Sequence, residues 1–160
     1  MRQGILHGLV FLLILGCAFA LRAQSSAPVQ YFYDDLGRLI RVVDQNGNVA
    51  TYHYDAVGNL LSITRSTLPA NNGLAILNFT PQSGPVGSTV AIQGQGFSTT
   101  PASNTVQFNG TAATVSAATA TSLTVTVPTG ATTGPISVTV SSSTAKSDSS
   151  FTVAPIEVRE

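Results

Sequence analysis

The chain has 160 residues, of which only 9% are charged, and its seven basic and seven acidic side chains leave no net charge. After residue 23 the bases are Arg38, Arg41, Arg65, Lys146 and Arg159, scattered among seven acids. Binding to nucleic acid or to an anionic membrane needs Lys and Arg gathered on one surface, so this composition argues against both. Cys17 is the only cysteine, so the fold must stand without an internal disulfide.

Residues 1–23 read as an export signal. Arg2 gives a positive start, and Ile5 to Leu15 is apolar apart from His7 and Gly8. That run suits the apolar core of a signal and is too short for a comfortable membrane span. Two exits follow, Ala18-Phe19-Ala20 and Ala23 before Gln24. Ile14-Leu15-Gly16-Cys17 also resembles a bacterial lipobox, which would make Cys17 a lipidated first residue. Ordinary cleavage after Ala20 or Ala23, with Cys17 a filler, is the other reading. Either places the product outside the cytoplasm, secreted or in the cell envelope or on the surface of a bacterium.

A polar lead-in occupies residues 24–30. Residues 31–65 then hold all four tyrosines, and Tyr-Asp-x-x-Gly-x-Leu occurs twice, as Tyr33-Asp34…Gly37-Arg38-Leu39 and Tyr54-Asp55…Gly58-Asn59-Leu60. Each phrase reads as a turn between strands. The Asp accepts hydrogen bonds from backbone amides at the start of a type I turn, and the Gly takes the left-handed conformation that lets the strands pair again. Asn46-Gly47 marks a tight turn between the two copies. The stretch therefore reads as a four-strand meander: about 30–33, 38–43, 48–54 and 59–64. Tyr31 aligns with Tyr52, Tyr33 with Tyr54, Leu39 with Leu60 and Val42 with Ile63. Tyrosines two apart share a strand face and stack on apolar residues of the next strand. An aromatic ligand strip is the functional alternative.

These residues resemble the YD repeats of Rhs-type and teneurin-type proteins. The family stacks many such repeats into a hollow β-shell. Two copies are too few for that, so the resemblance implies the repeat's local fold without encapsulation. A meander this short leaves two edge strands with unpaired backbone groups, so the segment is expected to pair with another YD-repeat protein or with itself, strand to strand. The edges open to such pairing would be the first and last strands, with less to protect the first.

Residues 66–73 read as a linker and 155–160 as a tail. Between them, residues 74–154 are rich in Ser, Thr, Ala, Val and Gly, with Lys146 and Asp148 the only charges. Leu123, Val125 and Val127 alternate with polar residues, as do Ile136, Val138 and Val140, and Val106, Phe108, Phe151 and Val153 complete an inward set. About seven short strands with period-two alternation and Gly/Pro turns predict a two-sheet sandwich. Ile76, Pro81, Gly84-Pro85-Val86-Gly87, Val90, Ile92, Gly94, Gly96 and Phe97 resemble the signature of the IPT/TIG immunoglobulin-like domain. The fold class expected is all-β: a short antiparallel meander followed by an immunoglobulin-like β-sandwich.

No residues suggest catalysis. His53 is the only histidine after the signal, and its aligned position holds Phe32. A zinc site wants several His or Cys ligands, and isolated Asp residues lack the density a calcium site needs. Asp34 and Asp55 are explained by their equal places in two turns. Asn78-Phe79-Thr80 and Asn109-Gly110-Thr111 match the glycosylation pattern, which also arises by chance. The expectation is a non-enzymatic module with no cofactor and no metal. It would bind an unidentified protein or surface glycan, either as a protein of its own or as a fragment or accessory part of something larger.

Overall fold

A computed structural model of the chain describes residues 28–69 and 73–155. The export signal, Cys17 and most of the tail lie outside these residues. Two sheets are formed, antiparallel throughout except where β6 pairs parallel with β12. The first is a meander of β1 (Gln30–Tyr33), β2 (Leu39–Val43), β3 (Asn48–Tyr54) and β4 (Leu60–Thr67), ordered β1-β2-β3-β4. β4 runs two residues into the stretch read as linker. The register explains this: with Thr51 opposite Thr64, Asn48 at the start of β3 falls opposite Thr67.

The second unit contains β5 (Ala75–Thr80), β6 (Ser83–Gly84), β7 (Thr89–Gln95), β8 (Asn104–Phe108), β9 (Thr111–Ala118), β10 (Ser122–Thr126), β11 (Gly134–Val140) and β12 (Ser143–Val153). They are hydrogen-bonded in the order β5-β7-β10-β9-β8-β11-β12-β6. The sheet folds over between β9 and β8, so the alternating apolar residues of the two halves meet. Phe79, Val90, Ile92, Leu123 and Val125 come from one half; Val106, Phe108, Ile136, Val138 and Phe151 come from the other. Phe151 ties the halves together. Its ring lies edge-on to Phe108 at 5.0 Å between centroids and 6.2 Å from Phe79, and aromatic pairs at such spacing add to the gain from burial. Leu123, Val125, Ile136 and Val138 are fully buried, while Val140 and Val153 sit at the margin.

One strand is much longer than its sequence suggests. The pattern predicts only 150–153, yet β12 begins at Ser143. Its early part is Ser, Thr, Lys and Asp, exposed on one face and without apolar alternation. Its order comes from backbone pairing to β11, through a hairpin that turns at Ser141 with φ 54°.

The meander covers the outer side of β5. Phe32, Val43 and Val49 form its core, and the fourth buried member, Leu77, belongs to β5. The register of β5 against β7 shifts between Ile76 and Asn78, which leaves Leu77 without a ladder partner. Such a bulge redirects a side chain. Here Phe79 stays in the sandwich core while Leu77 packs with the meander. β5 is thus buried on both faces, as its run Ile76-Leu77-Asn78-Phe79 reflects.

Candidate functional site

Three turns shape the meander, and all three are built alike. Asp34 Oδ1 accepts from Leu36 N (3.0 Å) and Arg38 N (2.8 Å), and Asp34 Oδ2 accepts from Arg38 Nε (2.7 Å). Asp55 repeats this with Val57 N, Asn59 N and Asn59 Nδ2. Asp44 does the same with Asn46 N, Asn48 N and Asn48 Nδ2. Gly37, Gly47 and Gly58 follow at φ 76°, 77° and 96°, in the left-handed region where glycine is unstrained. The middle turn is therefore a third Asp-x-x-Gly, not merely an Asn-Gly turn. Its signal was present in the sequence, because Asp44…Gly47-Asn48 has the spacing of Asp55…Gly58-Asn59.

These donors set the carboxylate chemistry. The Asn48 side chain and backbone hold the Asp44 carboxyl below its usual range, and Asn59 does the same for Asp55. At Asp34 burial alone would raise the value, but the hydrogen bonds from Arg38 and Leu36 and the Arg38 charge outweigh it. Each carboxylate is thus spent on its own turn. Among the described residues no three His, Cys, Asp or Glu side chains gather as a metal set.

Alternation along β1 assigns the faces. Phe32 is buried against the sandwich, so its neighbours Tyr31 and Tyr33 point outward, 57% and 50% exposed. Tyr31 pairs with Val42 and Val42 with Ala50, while Tyr52 pairs with Ile63 and Tyr54 with Leu60. The Tyr54 hydroxyl donates to Leu39 O at 2.8 Å, and the Arg38 guanidinium lies 4.9 Å from its ring centre. Leu39 and Leu60 each occupy the position opposite a repeat tyrosine, and at each the register shifts by one residue. The tyrosines do sit on neighbouring apolar residues, as expected. Their face is nonetheless the uncovered one. His53, aligned with buried Phe32, is exposed, with Nε2 3.1 Å from Thr64 Oγ1.

What fixes this sheet in place was not visible in the sequence. Arg41 stands inside the apolar run of β2 and is 7% exposed. Its Nη1 donates to Ile76 O (3.2 Å) and to Leu77 O, the carbonyls at the β5 bulge, and its Nη2 donates to Asp148 of β12. Arg41 Nε is buried without a partner among the described residues. Burial lowers the guanidinium from its usual value and Asp148 opposes that; an arginine keeps its charge either way. Two lesser contacts flank it: Gln82 N donates to Asp35 Oδ2 (2.6 Å), and Asn78 Nδ2 to Tyr33 O (3.3 Å). A polar cleft of about 210 Å³ runs along the seam, lined by Asp34, Arg38, Gln82 and Asp148 among others.

The sandwich signature residues sit at turns and close backbone approaches. Pro81 follows a cis bond from Thr80. Gly84 lies in β6, while Gly87 and Gly96 have positive φ. A Cβ on Gly94 would fall 2.1 Å from Ala75 O and 2.5 Å from the ring of Phe97, itself 5% exposed, so only glycine fits there. Both asparagines of the glycosylation pattern are engaged, Asn78 at the seam and Asn109 on Thr132 and Thr133.

The family model of the IPT/TIG domain matches residues 74–153, half of the chain. The chain belongs to the IPT/TIG domain family. The model of the RHS repeat matches residues 33–69, immediately before the TIG domain. The order of the two modules is the one the sequence suggested. A search of the curated proteins finds no match. Among solved structures, the chain resembles an auxiliary nutrient binding protein from Bacteroides thetaiotaomicron VPI-5482, with TM-score 0.50 and 22% identity over 52% of this chain and 21% of that one. It also resembles a structural genomics protein of unknown function from the same organism, with TM-score 0.50 and 21% identity over 56% of this chain and 24% of that one. At these identities the likeness is one of fold. The chain spans about a fifth to a quarter of the length of these neighbours. No described helix is long and apolar enough to cross a membrane. A TIG domain joined to an RHS repeat fits a surface binding module.

Proposed function

We propose that this chain is a non-enzymatic, secreted or cell-surface binding module of a bacterium, and that it binds through the outer face of its meander. The observation carrying this reading is a tyrosine-bearing sheet face that is firmly held from behind and covered in front by none of the described residues. Tyr31, Tyr33, Leu60 and Ile63 are all more than a third exposed on it. Tyrosine offers a flat apolar ring and a hydroxyl at low entropic cost, which suits contact with a protein surface or with the faces of a surface glycan. Binding fits this chemistry better than reaction does. Asp34, Asp44 and Asp55 are engaged in turns, and the His53 ring nitrogen lies against the Thr64 hydroxyl.

The test is binding to arrays of bacterial surface polysaccharides and to intact envelope fractions, comparing the protein with a Tyr31→Ala/Tyr33→Ala variant. Binding lost in a variant whose melting is unchanged supports the reading. Binding that survives in this variant overturns it.

A second reading is that the chain is an accessory part or a fragment of a larger Rhs-type surface protein, toxin or carbohydrate-active enzyme. It is favoured by the larger size of the structural neighbours, in which this fold occupies about a quarter or less of the chain. Transcript mapping across the 3′ boundary tests it: further repeats in the same reading frame support the fragment, and an independent transcript that stops there opposes it.

A further inference from the structure

The two edges of the meander are not equivalent. β1 is four residues long, its Tyr33 carbonyl accepts from Asn78, and Gln30, Tyr31 and Phe32 border Gln93, Gly94, Thr121 and Ser122 of the sandwich. β4 is eight residues long, every one exposed, and only β3 pairs with it among the described residues. This reverses the expectation from sequence, which made the first strand the less protected edge. The reason lies in the docking: the sandwich packs beneath β1, β2 and β3, and among the described residues it borders β4 only at its Ser66–Thr67 end.

An edge strand offers a row of unpaired N–H and C=O groups, and proteins blunt such edges with charged side chains, Pro, β-bulges or a covering element. β4 carries a bulge at Leu61 and one charge, but no Lys or Pro within it and no covering strand among the described residues. It reads Leu60-Leu61-Ser62-Ile63-Thr64-Arg65-Ser66-Thr67, and Leu61 and Ile63 are 67% and 38% exposed. Its one charge, Arg65, lies off the centre. We propose that β4 pairs antiparallel with β4 of a second copy about a twofold axis through Ile63, joining two meanders into one eight-stranded sheet. This register sets Ile63 against Ile63, Ser62 against Thr64 and Leu61 against Arg65. No charge meets its own kind across the axis. Because Ile63 pairs with Tyr52, the row continues from Tyr52 through both isoleucines to the second Tyr52. The twofold arrangement closes on itself, and it keeps both sandwiches on one side of the sheet. Head-to-tail growth through β1 would have to displace the Asn78 hydrogen bond to Tyr33 O. The pairing uses the sheet edge and does not depend on any ligand of the outer face.

The experiment uses the chain from Gln24 onward, which holds every described residue. Sedimentation over a concentration series should show a monomer–dimer equilibrium. Ile63→Lys places two cations on the axis and should leave a monomer over the same range with the sandwich melt unchanged. Ile63→Cys should cross-link to a dimer under mild oxidation, because opposed strand residues lie within disulfide reach, whereas Tyr31→Cys should not. Leu61→Lys and the cross-link pair decide the matter if Ile63→Lys misfolds. A monomer at all concentrations overturns the proposal. So does a dimer unaffected by both lysine variants, a cross-link at Tyr31 in place of Ile63, or β4 amides protected only when an extended peptide of another sequence is added.

Discussion

The sandwich and the meander are both built mainly of antiparallel strands, but they keep their order by different means. The sandwich closes on itself and buries thirteen residues in one cluster, all its own. Among the described residues the meander buries only three apolar side chains, Phe32, Val43 and Val49, and it completes that cluster with Leu77 from the other module. Small sheets are marginal unless they pack against something. Two copies of a repeat therefore suffice here because β5 supplies what further copies would otherwise provide.

Separating the modules should break the comparison most sharply. A peptide of residues 24–69 is expected to give no protected amides by hydrogen exchange, while residues 73–155 still melt cooperatively. Protection in the isolated peptide would show that the meander has a sufficient core of its own. Next in size, Phe108→Ala should lower sandwich stability by about 3–5 kcal/mol in denaturant titration, because it empties a fully enclosed ring site beside Phe151. Arg41→Ala should cost about 1–3 kcal/mol, read from exchange of the β1–β3 amides, since it leaves the Ile76 and Leu77 carbonyls without this donor. The sandwich core should be nearly unmoved by that change.

The smallest effect is acid sensitivity confined to one module. Asp34, Asp44 and Asp55 have folded-state values held below their usual range. A depressed carboxylate contributes stability above its unfolded value, and that contribution is lost as pH falls through the folded one. The three turns should therefore loosen below about pH 4. Amide shifts of Leu36, Asn46 and Val57 would report it. The TIG domain, with Asp148 its only acid between residues 74 and 153, should stay unchanged over the same range.

Much of the architecture could be read in the chain. The strands of the meander, the alternating core of β10 and β11, and both module resemblances follow from periods and turn residues that act locally. The buried face of the meander did not. β1 reads Gln-Tyr-Phe-Tyr and β2 reads Leu-Ile-Arg-Val-Val, so both faces carry apolar groups and alternation cannot choose between them. The choice is made by Leu77, and by an arginine bonded to an aspartate 107 residues away. No local pattern encodes a partner at that distance. The one available hint was Ile76-Leu77-Asn78-Phe79, a run without alternation, as expected of a strand covered on both sides.

The placement of β1 also matters under mechanical load. Tension between residues 28 and 155 would fall at one end on β1, whose only ladder partner among the described residues is β2, over four residues, and its ladder bonds would part in sequence from Gln30. At the other end it would fall on β12, flanked by β11 and β6 and anchored by Phe151 in the core. The meander would yield first, and its unravelling to residue 69 would release roughly 140 Å of chain at about 3.4 Å per residue. The sandwich would remain intact at the end of that tether, so the pair of modules would act as a spring whose first stage is soft.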